Sequence, residues 1–436
     1  MRFRAARPAV VVALLGLVSL VGYALRTNVS VAQEYMAPAL GLTLADMGTI
    51  SALGFQLAYA LFQIPAGFLG DRFGSRIVLG FAILGWALSS FATGLVPATA
   101  GVTVAFATLF AARLVLGISQ AATYPVGSMA ITQAIAPARR ATANAVFISA
   151  ALIGAGLAPL TLAPVMVHIG WRAVFLASGA VGLATAIVWF AFAPEKPVVD
   201  PAHRFPPIGE QIRAALGVLK DRNLAILSLS YAMEAAVFFV FIFWFFRYLT
   251  EGRGMTVLAS GVWGSVPYFA AALIAPLGGL AADALGVRFT LARGRQVVAM
   301  TRLLFAALFV VIGANVASPL LAVAALSLSV ACINSTEGAF WATATTLGKS
   351  TPGAAGGVLN FMGNLGGVVS IWAVPHMKDA WGWTAMLSFW AAVAVVSALL
   401  WLFIRPGFST GNSTTAGANG PRTIRSSPRR SPAPGT

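Results

Sequence analysis

One cysteine, three histidines and twelve acidic residues are all that this 436-residue chain offers of the groups on which most metal, redox and acid–base chemistry depends. Cys332, alone in an apolar segment, rules out an intramolecular disulfide or a cysteine cluster. His168, His203 and His376 are too far apart in sequence to give a metal-ligand spacing. The full Gly-rich phosphate-binding signature, Gly-x-x-x-x-Gly-Lys-Ser/Thr, is absent, which argues against ATP-driven work by this chain alone. No Ser and His stand paired either, so an enzyme, a cofactor and a metal are all unexpected. Charge itself is scarce, at 9% of residues against about 25% in a typical soluble domain.

What fills the sequence is apolar: 59% of residues are hydrophobic, a ratio that a bilayer requires and a soluble core does not. Roughly twelve apolar stretches of about 20 residues or more follow one another, each enough to cross ~30 Å of hydrocarbon. Val10–Leu25, Val78–Leu95, Val174–Ala193, Leu224–Phe246 and Ala385–Ile404 are examples. Arg2, Arg4 and Arg7 before the first stretch imitate a signal peptide. That run lacks a small-residue cleavage site and continues into Arg26, Thr27 and Asn28, so a retained helix is expected. The net charge of +16 invites a nucleic-acid partner, but its distribution points to the lipid bilayer instead. With twelve helices and a cytoplasmic N-terminus, the outer loops keep only Arg172, Arg253 and Lys378, and the remaining loop charges gather inside. That is the positive-inside asymmetry, and it places both termini in the cytoplasm.

The chain repeats itself. Gly67–Arg76 (GFLGDRFGSR) returns, degraded, 212 residues later as Gly279–Arg288 (GLAADALGVR). Gly170–Ala173 (GWRA) and Gly382–Ala385 (GWTA) keep the same offset, so the halves are homologous with no net insertion between these landmarks. The expected organisation is a six-helix bundle over 1–193, a cytoplasmic linker over 194–223 and a second bundle over 224–405. A polar tail over 406–436, rich in Ser, Thr, Gly, Pro and Arg, should be disordered. An internally duplicated membrane protein of this layout is most often a secondary transporter.

Several segments carry a family resemblance. Gly67–Arg76 is similar to the loop signature between helices two and three of the major facilitator superfamily. More narrowly, Arg26–Ala32 (RTNVSVA) followed by Ala39–Leu42 (ALGL) resembles helix one of the anion:cation symporter family. So do Tyr59–Gly67 (YALFQIPAG), Arg113–Gln120 (RLVLGISQ) and Asn360–Gly367 (NFMGNLGG). The resemblance spans nearly the whole chain outside the linker and tail. It implies an all-α membrane protein with twelve transmembrane helices in two pseudo-symmetric six-helix bundles, the major facilitator fold. It further implies a monomer in a bacterial-type inner membrane that moves small organic anions, such as sugar acids, by alternating access.

A charge within a span costs a few kcal/mol or more and needs a reason. In relatives of this family the arginine at Arg26 faces the central cavity and holds the substrate carboxylate. A guanidinium suits that task because it stays charged and grips a carboxylate through two parallel hydrogen bonds. The alternative is a structural pair with an acid such as Glu34. Arg113 lies seven residues before Gln120, two helical turns, so both share a face. Relatives carry Arg and Glu at these two positions, the Arg binding the anion or holding the gate and the Glu coupling protons. They also have Asp just before the helix-one Arg. Here Gln120 and Leu25 stand instead, so the anion-binding arginines remain while the usual proton-coupling pair is gone.

Three readings of the coupling stay open. A relocated carboxylate could carry a proton or another cation, at Glu337 beside Asn334 or at Glu234, which shares a polar stripe with Ser230 and Tyr231. The protein could be an uncoupled facilitator or anion exchanger. Or Glu34, the weakest choice, could titrate, although its place near a helix end suits a hydrated, ordinary carboxylate. Tyr59, Gln63, Asn360 and Asn364 complete the expected substrate site, with helix–helix hydrogen bonding as the alternative for the two asparagines. Asp71, Arg72 and Arg76, with Asp283 and Arg288, form by resemblance a gate across the halves, with Arg139 and Arg140 as loop partners. The reading favoured is symport through a relocated carboxylate. A receptor on a transporter scaffold is disfavoured, because only a tail and no folded domain is appended.

Overall fold

A run of apolar residues in lipid must satisfy its own backbone polar groups, and the helix does so locally. The structure, a computed structural model, describes residues 8–97, 99, 101–136, 139–194, 209–210, 213, 217, 219–348 and 352–404, without the side chains of Asp71, Ala141, Thr142, Ala145, Asp283, Pro352 and Gly353. Most of the expected linker and the whole expected tail therefore lie outside the described residues, within which only helices form.

The first half contains α1 (Pro8–Ala39), α2 (Leu44–Gly70), α3 (Ser75–Gly94), α4 (Val102–Ala134), α5 (Val146–His168) and α6 (Trp171–Phe192). The second opens with α7 (Arg222–Gly252), α8 (Val257–Arg288), α9 (Leu291–Asn315) and α10 (Pro319–Leu347). An eleventh apolar helix, Ala354–Phe403, is 50 residues long and leaves helical geometry at Gly382, with φ 75° and ψ 171°. The break divides it into α11 (354–381) and α12 (383–403). Among the described residues, eleven apolar helical segments thus hold the twelve expected spans, because the chain re-enters a helix immediately after one glycine.

That glycine also carries the repeat. Gly170, 212 residues earlier, starts α6 with φ 109° and ψ 163°, the same left-handed extended backbone that only glycine adopts without strain. The other landmark has decayed in structure as in sequence: Gly74 opens α3 at φ 83°, while Gly286 at the matching position lies inside α8. Packing repeats too. α3 packs on α4 and α6, as α9 packs on α10 and the α11–α12 pair, while α1 packs on α5 as α7 does on that same pair. The corresponding helices α4 and α10 are both interrupted midway, after Gln120 and after Asn334.

Outward faces stay apolar, with Phe81, Leu88 and Leu273 between 65% and 77% exposed, as expected of a lipid-facing belt. The central helices differ. Every residue of α1 from Leu25 to Gln33 is buried, among them Arg26, Thr27, Asn28, Ser30 and Gln33. α7 is buried almost as completely over Glu234 to Phe246, and it meets α1 between the halves. In α2 the backbone widens to a π-helix over Ile50–Leu57, a feature common at functional sites, and this turns Phe55 and Gln56 inward.

Candidate functional site

Arg26 sits in an aromatic cage. Its guanidinium carbon lies 4.5 Å from the Tyr23 ring centroid, 4.9 Å from Phe55 and 4.3 Å from Tyr59, so three faces offer cation–π contact. Its Nε donates to Gln120 Oε1 at 3.3 Å, and Gln120 Nε2 donates in turn to Gly22 O at 2.7 Å. Arg113 is likewise buried. Its Nη2 donates to Asn28 Oδ1 at 2.9 Å, and Asn28 Nδ2 donates to Ser178 Oγ at 3.4 Å. Among the described residues no carboxylate comes within ion-pair distance of either arginine. An uncompensated buried charge is costly, and two of them lie on α1 and α4 with no acidic partner among the described residues.

Glu34 pairs elsewhere. Its Oε2 lies 3.3 Å from Arg247 Nη1, which corrects both the structural Arg26–Glu34 pair and the hydrated, ordinary carboxylate expected there. Its other oxygen is buried without a partner. Arg247 Nε also meets Glu251 Oε2 at 2.8 Å, Glu251 meets Lys378, and Lys378 lies 3.2 Å from Asp379. With Gln33 Nε2 donating to Phe243 O at 3.4 Å, this chain of charges ties α1, α7 and α11 together at one end of the bundle. The expected result of Arg247→Gln is faster labelling from that side. With Cys332→Ser removing the native thiol, Ala37→Cys, a buried position on α1, should react with a membrane-impermeant maleimide several-fold faster when Arg247→Gln is added.

The amides form a bridge. Gln56 Nε2 donates to Asn364 Oδ1 at 2.7 Å, Asn360 Nδ2 donates to Gln63 Oε1, and Asn364 Nδ2 donates to Asn360 O at 2.8 Å. Gln63, Asn360 and Asn364 therefore link α2 to α11, and the Tyr59 hydroxyl interacts with both Arg26 and Gln63, joining the bridge to the cage.

A second cluster occupies the other half. Glu337, on the second segment of α10, accepts from Tyr231 Oη at 3.2 and 3.0 Å and from Trp341 Nε1 at 2.9 Å. Glu234 is 1% exposed and neither of its oxygens has a hydrogen-bond partner. The polar stripe expected of Ser230, Tyr231 and Glu234 is divided, since Ser230 exchanges hydrogen bonds with Ser397 of α12.

Of the expected gate, the side chains of Asp71 and Asp283 lie outside the described residues. Arg76 Nη2 donates to Phe190 O at 2.7 Å, and Arg140 donates to Ile135 O and Thr132 O at the end of α4, both within the first half. Arg72 and Arg288 rest on the rings of their neighbours Phe73 and Phe289. Sequence reasoning missed Tyr23, Phe55, Asn28 and Arg247, and also Arg302, which lies within α9 against the Cys332 thiol. Arg247 had a readable signal in Glu251 at i+4.

Helices long and apolar enough to span a membrane, in two repeated halves with two arginines buried inside the first, have the layout of a transporter. The chain belongs to the Major Facilitator Superfamily, whose profile matches residues 13–371. It is 27% identical over 409 residues to the D-galactonate transporter of Escherichia coli O6:H1 (strain CFT073), covering 88% of this chain and 92% of that protein. It is 28% identical over 422 residues to the probable galactarate/D-glucarate transporter GarP of E. coli (strain K12), covering 89% and 92%. To the hexuronate transporter of Bacillus subtilis (strain 168) it is 26% identical over 373 residues, covering 82% and 85%. Among solved structures, the fold is similar to that of a bacterial homologue of the human lysosomal transporter Spinster. The TM-score is 0.74 at 18% identity, with 90% of this chain and 96% of that one covered.

Proposed function

We propose that this chain carries a small organic anion, a sugar acid or related monocarboxylate, across a bacterial-type inner membrane by alternating access between the halves 1–193 and 224–405. The observation that carries the reading is the pair Arg26 and Arg113: both are buried, and neither has a carboxylate partner among the described residues. A carboxylate substrate supplies the missing counter-charge. Tyr23 and Tyr59, beside Arg26, supply hydroxyls of the kind that read a polyol. The names of the relatives support the same substrate class. The cytoplasmic placement of both termini rests on the basic bias of the inner loops. Transport is driven by a cation, through a carboxylate other than the helix-one and helix-four positions now held by Leu25 and Gln120.

Uptake of radiolabelled D-galactonate, D-glucarate and D-glucuronate into proteoliposomes tests the reading. Saturable uptake of at least one, competed by the unlabelled acid, is expected; failure to move any of them would overturn it. Gln120→Glu gives a sharper result. A carboxylate at 120 would pair with Arg26 and compete with the substrate, and its second oxygen would face Gly22 O, acceptor against acceptor. KM should rise about tenfold at neutral pH, roughly 1.4 kcal/mol, relative to the wild type.

A further inference from the structure

Proton coupling needs a group that meets water in one state, is sealed in the other, and lacks permanent partners that would fix its charge. Glu234 has the last two properties in this structure. It is 1% exposed, both its oxygens lack hydrogen-bond partners, and it lies against Thr336, whose hydroxyl is given to Ile333 O at 2.7 Å. Glu337, next in sequence to Thr336, is its opposite: half-buried, with donors from Tyr231 and Trp341 on its two oxygens. The charge of Glu337 acts on Glu234 directly.

Two neighbouring carboxylates in a poorly solvated place do not both stay ionised. Two donors, the Tyr231 hydroxyl and the Trp341 N–H, favour the anion on Glu337 over one on Glu234, and the bare Glu234 is left as the acceptor. We infer that Glu234 is the proton carrier of this transporter, with Glu337 as a fixed anionic partner held by Tyr231 and Trp341, so that the pair carries a single proton. This rests on the organic-anion reading above.

The other charged groups on helices packed against α7 are engaged elsewhere. Arg26 on α1 is bonded to Gln120, Glu34 is paired with Arg247, and Lys378 and Asp379 on α11 belong to the charge chain at the bundle end. Among the described residues, Tyr231, on the same helix one turn before Glu234, is the remaining titratable group that touches the pair. It is also the mechanical link. Its ring packs on Gly363 of α11, where a Cβ would come within 2.6 Å of Tyr231 Cε1. Gly363 stands between Asn360 and Asn364, whose hydrogen bonds hold α11 to α2 of the other half. A proton arriving at Glu234 removes its repulsion on Glu337, the carboxylate to which the Tyr231 hydroxyl is bonded. The ring and α11 shift together, and the amide bridge between the halves is loosened or remade.

The test uses the full-length protein in proteoliposomes with a labelled sugar acid that the wild type exchanges. Wild type should accumulate it several-fold above equilibration under an inward-acid gradient and not under a sodium gradient. Glu234→Gln should lose that accumulation entirely, and Glu234→Asp, still titratable, should restore it. Should Glu234→Gln fold poorly, Tyr231→Phe reports independently: removing one donor from Glu337 should shift the pH of half-maximal uptake by about half a unit or more. Acid-driven accumulation that persists in Glu234→Gln, an unmoved pH midpoint in Tyr231→Phe, or accumulation driven by sodium would each overturn the assignment. Wild-type exchange without any gradient-driven accumulation would overturn it too, while leaving the anion reading intact. Absence of exchange for every sugar acid would instead defeat the anion reading, and the coupling with it.

Discussion

Arg26→Ala should lower kcat/KM for every transported anion by at least about 100-fold, close to 2.7 kcal/mol, while the protein still folds and reaches the membrane. Truncating one partner of a buried, hydrogen-bonded charge pair costs about 2–5 kcal/mol, and here the other partner is the substrate itself. The protein should survive the change because no acidic side chain is left unpaired by it: Gln120 keeps its bond to Gly22 O, and the three rings can close on the space. Arg26→Lys should recover only part of the loss, since an ammonium cannot stack its charge between Tyr23, Phe55 and Tyr59 while presenting two parallel donors to a carboxylate. Measuring KM and maximal uptake separately, at matched protein per liposome, decides the matter. An unchanged KM in Arg26→Ala would mean that the anion binds elsewhere, and Arg113 would then be the first place to look.

The parts of this site that sequence made visible are those set by local rules. Arg26 and Arg113 stood out because charge is rare in apolar runs, and Gln120 shared a helical face with Arg113 by spacing alone. The duplication was legible because left-handed extended backbone demands glycine, and Gly170 and Gly382 meet that demand at one fixed offset. What stayed hidden depends on partners remote in the chain. Glu34 read as an ordinary carboxylate because Arg247, which holds it, lies 213 residues away in the chain. Phe55 and Tyr23 form the cage around Arg26, yet an aromatic ring in an apolar helix carries no sign that it faces a cation. A π-helical turn also rotates Phe55 relative to simple α-periodicity. Asn360 and Asn364 were correctly placed on one face, but only the fold reveals that this face meets Gln56 and Gln63 of α2.

The same fold makes Gly366→Val the most damaging apolar substitution to expect in α11. Glycines within the spans admitted two uses, close packing or hinging, and at Gly366 the geometry favours packing. A Cβ there would lie 1.9 Å from Ala232 O on α7, and the obstruction is backbone, which cannot swing aside as a side chain can. A Cβ at Gly154 would likewise lie 2.0 Å from Leu20 O in the matching α5–α1 contact of the first half, so both central helices are held at backbone distance by the same device. Overpacking costs about 1–3 kcal/mol where side chains can yield, so a backbone clash should reach the top of that range or pass it. Because α7 carries Glu234 and Tyr231 and α11 carries the amide bridge, any separation of the two helices would also uncouple those groups. Gly366→Val is therefore expected to leave little folded protein after detergent extraction, as read by size-exclusion yield and a lowered melting temperature. Gly357→Ala, on the same helix with nothing within 4 Å of the new methyl, is the control. It should be neutral or slightly stabilising, since alanine in a helix gains roughly 0.5–1 kcal/mol over glycine. Equal yields from the two variants would mean that α7 and α11 can separate without penalty, and that the glycine run serves movement after all.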